Sequence, residues 1–248
     1  MRKFNNLIVN EWLKIYKKRS FLVPYIILVV LPLLLGYIVH TVSPDSFASA
    51  ADFTASMLLP TGMGQVLAIL SIIGTAGIVA KEHSQGTIKF LLIRARSRTA
   101  ILASKYVTVQ LYALSLTLVA AVIIYGSGLI WFGSSGGENG VVDILLSLLY
   151  GVVYTFVYTT LAFMVGVLTT STGVTIGITM FAITLDKVVI NRDFYKYFLF
   201  PNLDLSAYSS GNPPLPGMTL GFSILILTVY LLVFLLAGFT VFRRRDVA

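Results

Sequence analysis

Side chains able to perform chemistry are few in this sequence of 248 residues. It contains two histidines, His40 and His83, ten carboxylates and no cysteine. Two separated histidines do not supply the clustered ligands of a zinc site, so a metal would have to rest on scattered carboxylates. The hydropathy pattern places His40 and His83 on opposite sides of a membrane, so no Ser/His/Asp set can be assembled. We therefore expect no catalytic residue and no metal-binding residue in this chain.

Nucleotide chemistry has one weak candidate, the stretch Gly86-Thr87-Ile88-Lys89. A phosphate-binding loop needs a leading glycine, a Gly-Lys-Ser/Thr ending and a position between a strand and a helix. This stretch lacks the leading glycine and the strand. We therefore expect that the chain holds no cofactor and that it does not hydrolyse ATP itself.

The composition is that of a membrane protein. The chain is 57% hydrophobic and 11% charged, and its mean hydropathy is +0.89, whereas soluble domains carry about 25% charged residues. Runs of about 20 apolar residues, long enough to cross a bilayer, occur at residues 21–42, 57–80, 104–131, 142–168, 172–190 and 218–241. The sequence therefore predicts an all-α membrane protein with six transmembrane helices in a single domain, residues 1–248. Because the centres of these runs hold no ionisable residue, the energy for any transport is expected to come from outside the chain.

The charges divide between the two sides of the predicted membrane. Residues 2–19, 81–105 and 243–246 hold 15 Lys and Arg and 3 acidic residues, whereas the segments between the other ends of the runs hold 3 basic and 7 acidic residues. Since cytoplasmic loops accumulate Lys and Arg, both termini are predicted to be cytoplasmic. We interpret the cations as topology signals and contacts to membrane lipids, and we expect no nucleic-acid partner.

Two inner segments have amphipathic patterns. Residues 4–19 predict an interfacial helix, the alternative being a simple basic flank of the first span; its apolar side is formed by Phe4, Leu7, Ile8, Trp12, Ile15 and Tyr16. The loop at residues 81–103 contains a short apolar face, Ile88, Leu91 and Leu92, ringed by cations. Such a face has to be covered, either by the protein's own surface or by another protein.

Three other features concern the spans and the outer side. Tyr150, Tyr154 and Tyr158 share one helix face, and Thr175 and Thr179 recur at the same spacing in the next span. These residues are candidates for a substrate path, and the alternative for the tyrosines is an aromatic packing ridge. Residues 191–217 mix aromatic residues and prolines, which predicts an outer segment re-entering the outer leaflet as a hairpin.

The two inner segments resemble those of a known family. The stretch Asn10-Glu11-Trp12-Leu13-Lys14, followed by Lys17-Lys18-Arg19 and a span, resembles the N-terminal elbow helix of the type-2 ABC transporter permeases. The stretch Glu82-x-x-x-Gly86-Thr87-Ile88-Lys89-x-Leu91-Leu92, then Ser97-Arg98, Ile101 and Lys105, resembles that family's first inner loop, which carries a coupling helix. The six-span layout with a long outer segment before the last span is also similar. One departure is Ala95, where the family often has proline, and it predicts that the loop helix runs on toward Arg98.

The resemblance implies the membrane subunit of a bacterial ABC exporter in the plasma membrane. Such a subunit pairs with a second copy or a related permease and docks on a separate cytoplasmic ATP-binding subunit, which holds the ATP and Mg. Carried over residue by residue, the docking contacts would be Glu11, Lys14, Glu82, Gly86, Thr87, Ile88, Lys89, Leu91 and Leu92. Amphipathic peptides or hydrophobic drugs are the leading substrate hypothesis.

Two other classes of function stay open from the sequence. One is a membrane sensor or immunity partner that binds a peptide and transports nothing. The other is a self-contained channel or ion-coupled carrier. A substrate efflux measurement separates the first from an exporter, and transport without nucleotide would favour the second.

Overall fold

The structure, a computed structural model, describes residues 2–84, 97–188, 190 and 192–244. Within these residues the chain is helical and forms no strand. The α-helices are α1 Arg2–Tyr16, α2 Leu22–Val42, α3 Ala50–Leu58, α4 Gln65–Ser84, α5 Arg98–Trp131, α6 Val141–Thr169, α7 Thr172–Leu185, α8 Ser206–Ser209 and α9 Leu220–Arg244. Short 3-10 turns lie at Arg19–Phe21, Pro44–Ser46, Asp193–Tyr197 and Phe200–Asn202, and a π-helical turn at Pro60–Gly64 leads into α4.

Five of these helices are long and apolar enough to cross a membrane: Leu22–Val42, Pro60–Ile78, Arg98–Trp131, Val141–Thr169 and Leu220–Arg244. The length and composition of the helices confirm the prediction of an all-α, multi-pass membrane protein. The fifth predicted span is the shorter apolar helix α7, with 14 residues. At 1.5 Å per residue its length is about 21 Å, less than the roughly 30 Å of a bilayer core.

Helices α4, α5 and α6 form the centre of the bundle. Their packing depends on small residues at two helix contacts. The ring of Tyr112 in α5 lies directly over Gly74 in α4, so closely that a Cβ atom at position 74 would collide with it. On α6, Gly151 lies against the backbone carbonyl of Leu58 in α3. Glycine at these positions lets the helix backbones approach each other, as is common in membranes.

The end of the bundle formed by α3 and the loop after α5 is joined by hydrogen bonds. Asp52 Oδ1 accepts from both the backbone and the side-chain nitrogen of Asn139, at 3.1 and 2.8 Å, and Ser49 Oγ donates to Asp52 Oδ2 at 3.1 Å. Desolvation of Asp52 acts to raise its pKa, but the hydrogen bonds from Asn139 and Ser49 outweigh it and hold the pKa below its ordinary value. The carboxylate of Asp52 therefore fastens the loop onto α3.

The predicted outer segment, residues 191–217, contains three short helical turns in its described part. Asn202 is fully buried and organises them. Its Nδ2 atom donates to the carbonyl oxygens of Lys196 and Phe198, at 2.9 and 2.7 Å, and its Oδ1 atom accepts from Ser223 Oγ of α9 at 2.7 Å. This one amide thus ties the segment to the start of the last helix.

Candidate docking platform at the basic end of the bundle

The N-terminal helix α1 presents one face to the bundle, and that face contains an acid. The partly or fully buried side chains recur at helical spacing: Phe4, Leu7, Ile8, Glu11, Trp12 and Ile15. The amphipathic pattern was therefore predicted correctly for five of its six apolar residues. Tyr16 is the exception, because its side chain is 62% exposed. Glu11 takes its place on the buried stripe, with 7% exposure.

The carboxylate of Glu11 lies between two lysines. Lys105 of α5 donates from Nζ to Glu11 Oε2 at 2.7 Å, and Lys14 donates from Nζ to Glu11 Oε1 at 2.6 Å. Lys105 is 5% exposed, whereas the Lys14 side chain is 47% exposed. The pair between Glu11 and Lys105 is therefore a buried, charge-assisted contact between two helices, and Lys14 extends it to the surface.

A buried ion pair fixes the relative position of the two helices that carry it. The desolvation cost of two buried charges largely offsets their attraction, so the pair adds little net stability. Losing either partner would instead leave an uncompensated buried charge, which costs about 3–5 kcal/mol. The arrangement therefore holds α1 against the first turns of α5 in one register.

Apolar contacts complete this platform, which we define as α1 together with the adjoining ends of α4, α5, α6 and α9. Its buried cluster takes one or two side chains from each helix: Ile15, Ile78, Leu102, Val109, Phe163, Val167 and Phe242. In addition, Arg98 Nη1 donates to the carbonyl oxygen of Arg243, at 3.4 Å. Five helices thus meet at the end of the bundle where the cations of the sequence concentrate.

Helix α5 has a defined start at this platform. Ser97 has an extended backbone and its Oγ atom accepts a hydrogen bond from the Ala100 backbone nitrogen at 3.3 Å, which is an N-cap. The predicted loop helix falls on residues outside the described part of the chain, so its extent stays a prediction; Ser97 itself is not helical. The predicted loop at residues 81–103 is also shorter than expected, since α4 extends to Ser84 and α5 begins at Arg98.

The predicted docking residues divide into three groups. Glu11 and Lys14 lie together in the ion-pair cluster, Glu11 inward and Lys14 at the surface. The backbone of Glu82 belongs to the last turns of α4. The remaining residues, Gly86, Thr87, Ile88, Lys89, Leu91 and Leu92, lie outside the described part of the chain. The docking role of this set stays a prediction.

The candidate substrate-path residues lie inside the packed bundle. Tyr154 and Tyr158 are fully buried, with ring centroids 5.0 Å apart. Tyr154 donates to Asp186 Oδ2 at 2.9 Å, while Tyr150 shares a 2.6 Å hydrogen bond with Ser209 Oγ at the end of the helix. Thr175 and Thr179 are also buried, and each hydroxyl donates to the carbonyl four residues earlier. In this conformation Tyr154, Tyr158, Thr175 and Thr179 are packing residues, whereas Tyr150 is half-buried, so a path along all five requires α6 and α7 to separate.

Sequence reasoning gave Lys105 no role of its own, although it was part of the matched pattern. Two features of the sequence indicate that Lys105 pairs with Glu11. It is the one cation inside the third apolar run, and Glu11 falls at the i+3/i+4 spacing of the apolar residues in α1. A charge embedded in each of two apolar helix faces needs a partner, and each satisfies the other.

Comparison with known proteins gives a family and two relatives. Residues 15–248 match the family described as "Protein of unknown function (DUF2705)". The chain is similar to the Bacillus subtilis (strain 168) "Uncharacterized protein YhcI", with 34% identity over 234 residues that cover 86% of this chain and 70% of the relative. It is also similar to the "Uncharacterized membrane protein YdbK" of the same organism, with 28% identity over 256 aligned positions, 95% of this chain and 99% of the relative. The match over nearly the whole chain shows that this protein belongs to the DUF2705 family.

Proposed function

We propose that this chain is the permease subunit of an ATP-driven exporter of the type-2 ABC family, in the plasma membrane of a bacterium. In this proposal α7 is the fifth of six spans, both termini are cytoplasmic, and the platform faces the cytoplasm. A separate ATP-binding subunit docks there, and a second copy or a related permease completes the translocation path. Amphipathic peptides or hydrophobic drugs are the proposed substrates.

The observation that carries the proposal is the buried pair between Glu11 and Lys105 at the basic end. Residues 85–96 connect α4 to α5 at this same end, and Lys105 lies within the first turns of α5. A partner that moves residues 85–96 would displace the base of α5, and the ion pair would carry that displacement to α1. Glu11 thereby acts as a positioning residue, while the predicted docking contacts come from residues 85–96 and from the half-exposed side chain of Lys14.

The apolar cluster supports the same mechanism. Ile78, Leu102 and Phe163 pack against each other at the bases of α4, α5 and α6. Since packed helix ends move together rather than bend independently, a push at this end is transmitted along three spans. Such rigid-body motion is what alternate opening of a path between α6 and α7 would require.

The test is reconstitution of the native complex in sealed vesicles. We expect a cytoplasmic ATP-binding subunit to co-purify with the chain, and its ATP hydrolysis to change when the chain is present. The variant Leu92→Asp places a carboxylate in the predicted docking face and should abolish both effects. The control Val141→Asp makes the same change at an exposed position of the opposite end and should leave them intact.

Three results would contradict the proposal. Hydrolysis by the ATP-binding subunit that is unaffected by this chain would remove its coupling role. Vectorial flux from the isolated chain without nucleotide would instead identify a self-contained channel or carrier, and peptide binding without efflux would identify a sensor.

A further inference from the structure

A polar cleft opens at the end of the bundle opposite the platform. Its volume is about 310 Å³, and it lies between α3, the loop before α6, the first turns of α6 and α8. Eight of its lining residues have polar side chains: Ser56, Asn139, Asp143, Ser147, Tyr150, Ser206, Ser209 and Ser210. The other three, Ala55, Leu59 and Leu146, are apolar. A concave site with convergent polar groups beside an apolar wall is the usual form of a small-molecule site.

The hydrogen bonds of the lining leave acceptors unused. Asp143 Oδ2 accepts from the Gly140 backbone nitrogen at 2.8 Å, while its Oδ1 atom has no donor among the described residues. Ser147 is 7% exposed, yet neither its hydroxyl nor that of Ser56 hydrogen-bonds to any residue in the part of the chain that the structure describes. Asp143 Oδ1 and the hydroxyl oxygens of Ser56 and Ser147 are therefore acceptors that a ligand can use, and the two hydroxyls can also donate.

The charge of the lining residues narrows the chemical class of the ligand further. Asp143 carries the one formal charge among the eleven lining residues, all of which are described. The segments at this end of the bundle hold seven acidic and three basic residues, so their net charge is negative and attracts cations. A carboxylate with neighbouring hydroxyl oxygens matches the three N–H donors of a primary ammonium group, and Leu59 and Leu146 offer contact for a short alkyl chain.

We propose that this cleft binds a primary alkylammonium group, held by the Asp143 carboxylate and the Ser56 and Ser147 hydroxyls. The source of the group is either a soluble amine or the headgroup of phosphatidylethanolamine. The proposal concerns binding alone, so it holds whether or not the chain is an exporter.

Because the sequence contains no cysteine, a single introduced thiol can be modified selectively, which gives a direct test of the proposal. The full-length variant Ser147→Cys, in nanodiscs of phosphatidylglycerol, is reacted with aminoethyl methanethiosulfonate, a cation, and with sulfonatoethyl methanethiosulfonate, an anion. The variant Ser134→Cys, in the exposed loop after α5, corrects for the intrinsic reactivity of the two reagents. Asp143 and position 147 are four residues apart on α6, and Cβ atoms at this spacing are about 5–6 Å apart. The carboxylate should therefore raise the cation-to-anion rate ratio roughly tenfold above that of the control.

Substitutions of Asp143 test whether its charge causes the raised rate ratio. In the Ser147→Cys background, Asp143→Asn keeps an acceptor for Gly140 but removes the charge, and should return the ratio to within about twofold of the control. The variant Asp143→Glu should keep the ratio high. Equal ratios at the two thiols, or a high ratio that survives Asp143→Asn, would overturn the proposal.

Ligand occupancy is tested with an uncharged reagent. Butylammonium chloride, but not sodium butyrate, should slow modification by hydroxyethyl methanethiosulfonate of a Ser210→Cys thiol, at an exposed lining position that leaves Asp143, Ser56 and Ser147 in place. Slowing in phosphatidylethanolamine nanodiscs without added amine would identify the lipid as the source. If neither the amine nor the lipid slows the reaction, no ammonium binds in the cleft. Nanodiscs expose both faces and contain no ATP-binding subunit, so failure of the exporter proposal would not change these outcomes.

Discussion

The two ends of the helix bundle are held together by different interactions. At the platform, a buried ion pair between Glu11 and Lys105 joins α1 to α5 across an otherwise apolar cluster. At the opposite end, the contacts described above are hydrogen bonds with at least one neutral partner: Asn139 donates to the Asp52 carboxylate, and Asn202 makes three hydrogen bonds that link the segment before α9 to Ser223. One end depends on a buried pair of opposite charges, and the other depends on hydrogen bonds from amide and hydroxyl groups.

This difference matters because the two kinds of contact respond differently to loss of a partner. A neutral buried hydrogen bond leaves an unsatisfied dipole when one partner is removed, at a cost of about 1–3 kcal/mol. A buried charge left alone costs more and draws water or a new counter-ion toward itself. We therefore expect the platform to be more sensitive to single substitutions, and to be the end whose geometry a charged partner can alter.

The largest effect is expected at Lys105. The variant Lys105→Met keeps the approximate length of the side chain but removes the buried cation that donates to Glu11 Oε2, so the Glu11 carboxylate keeps the half-exposed Lys14 as its partner among the described residues. We expect the free energy of unfolding in detergent to fall by about 3–5 kcal/mol. Denaturant titration followed by helical circular dichroism measures this change.

Two further variants separate the charge from the packing. The double variant Glu11→Gln/Lys105→Met removes both charges and should recover most of the lost stability. Lys14→Met, at the half-exposed lysine of the same cluster, should cost no more than about 1 kcal/mol. If Lys105→Met is as mild as Lys14→Met, the pair does not hold α1 in place.

The corresponding change at the opposite end is Asn202→Leu. It leaves the carbonyl oxygens of Lys196 and Phe198 and the hydroxyl of Ser223 without their partner. We expect a loss of about 2–3 kcal/mol, less than at Lys105, with increased proteolysis of the outer segment. Asn212→Leu, at an exposed position of the same segment, is the control and should change stability by about 0.5 kcal/mol or less. A loss larger than that of Lys105→Met would reverse the ranking of the two ends.

A pair of glycines in α4 tests whether the centre between these ends is rigid. A methyl group at Gly74 would collide with the ring of Tyr112, whereas one at Gly77 meets no atom within 4 Å. Gly77 also borders a cavity of about 110 Å³. Gly74→Ala should therefore destabilise the protein by about 1–3 kcal/mol through overpacking. Gly77→Ala should stabilise it by up to about 1 kcal/mol through helix propensity. Equal effects would indicate a hinge rather than close packing at Gly74.

Several features of the fold could be predicted because each depends on a pattern within one segment. The apolar runs identified the long helices, and the spacing of Phe4 to Ile15 identified the buried face of α1. The burial of Tyr154 and Tyr158 was one of two alternatives. Periodicity reports only that residues share a helix face and says nothing about whether that face meets protein or a path, so it could not decide between them.

Other features depend on contacts between distant segments. The pair of Glu11 and Lys105 joins residues 94 positions apart, and no local rule connects them. The cleft around Asp143 is assembled from α3, α6 and α8, and no local pattern connects their serines. By contrast, the N-cap at Ser97 depends on a local preference of serine, so it could have been predicted from the sequence.

The smallest expected effect lies in the turn between α6 and α7, at the platform end. Thr170 has φ of +54° there, a left-handed conformation that a β-branched residue rarely adopts. Thr170→Gly should relieve this strain and stabilise the protein by about 0.5–1 kcal/mol, whereas the same change at Thr172, the first residue of α7, should destabilise it by a similar amount. Denaturant titration of the two variants measures the difference. If both glycines destabilise, the Thr170 hydroxyl, which donates to the Thr169 carbonyl at 2.7 Å, stabilises the turn by more than its strain costs. The turn would then be a second place at the platform end where a polar contact outweighs local preference.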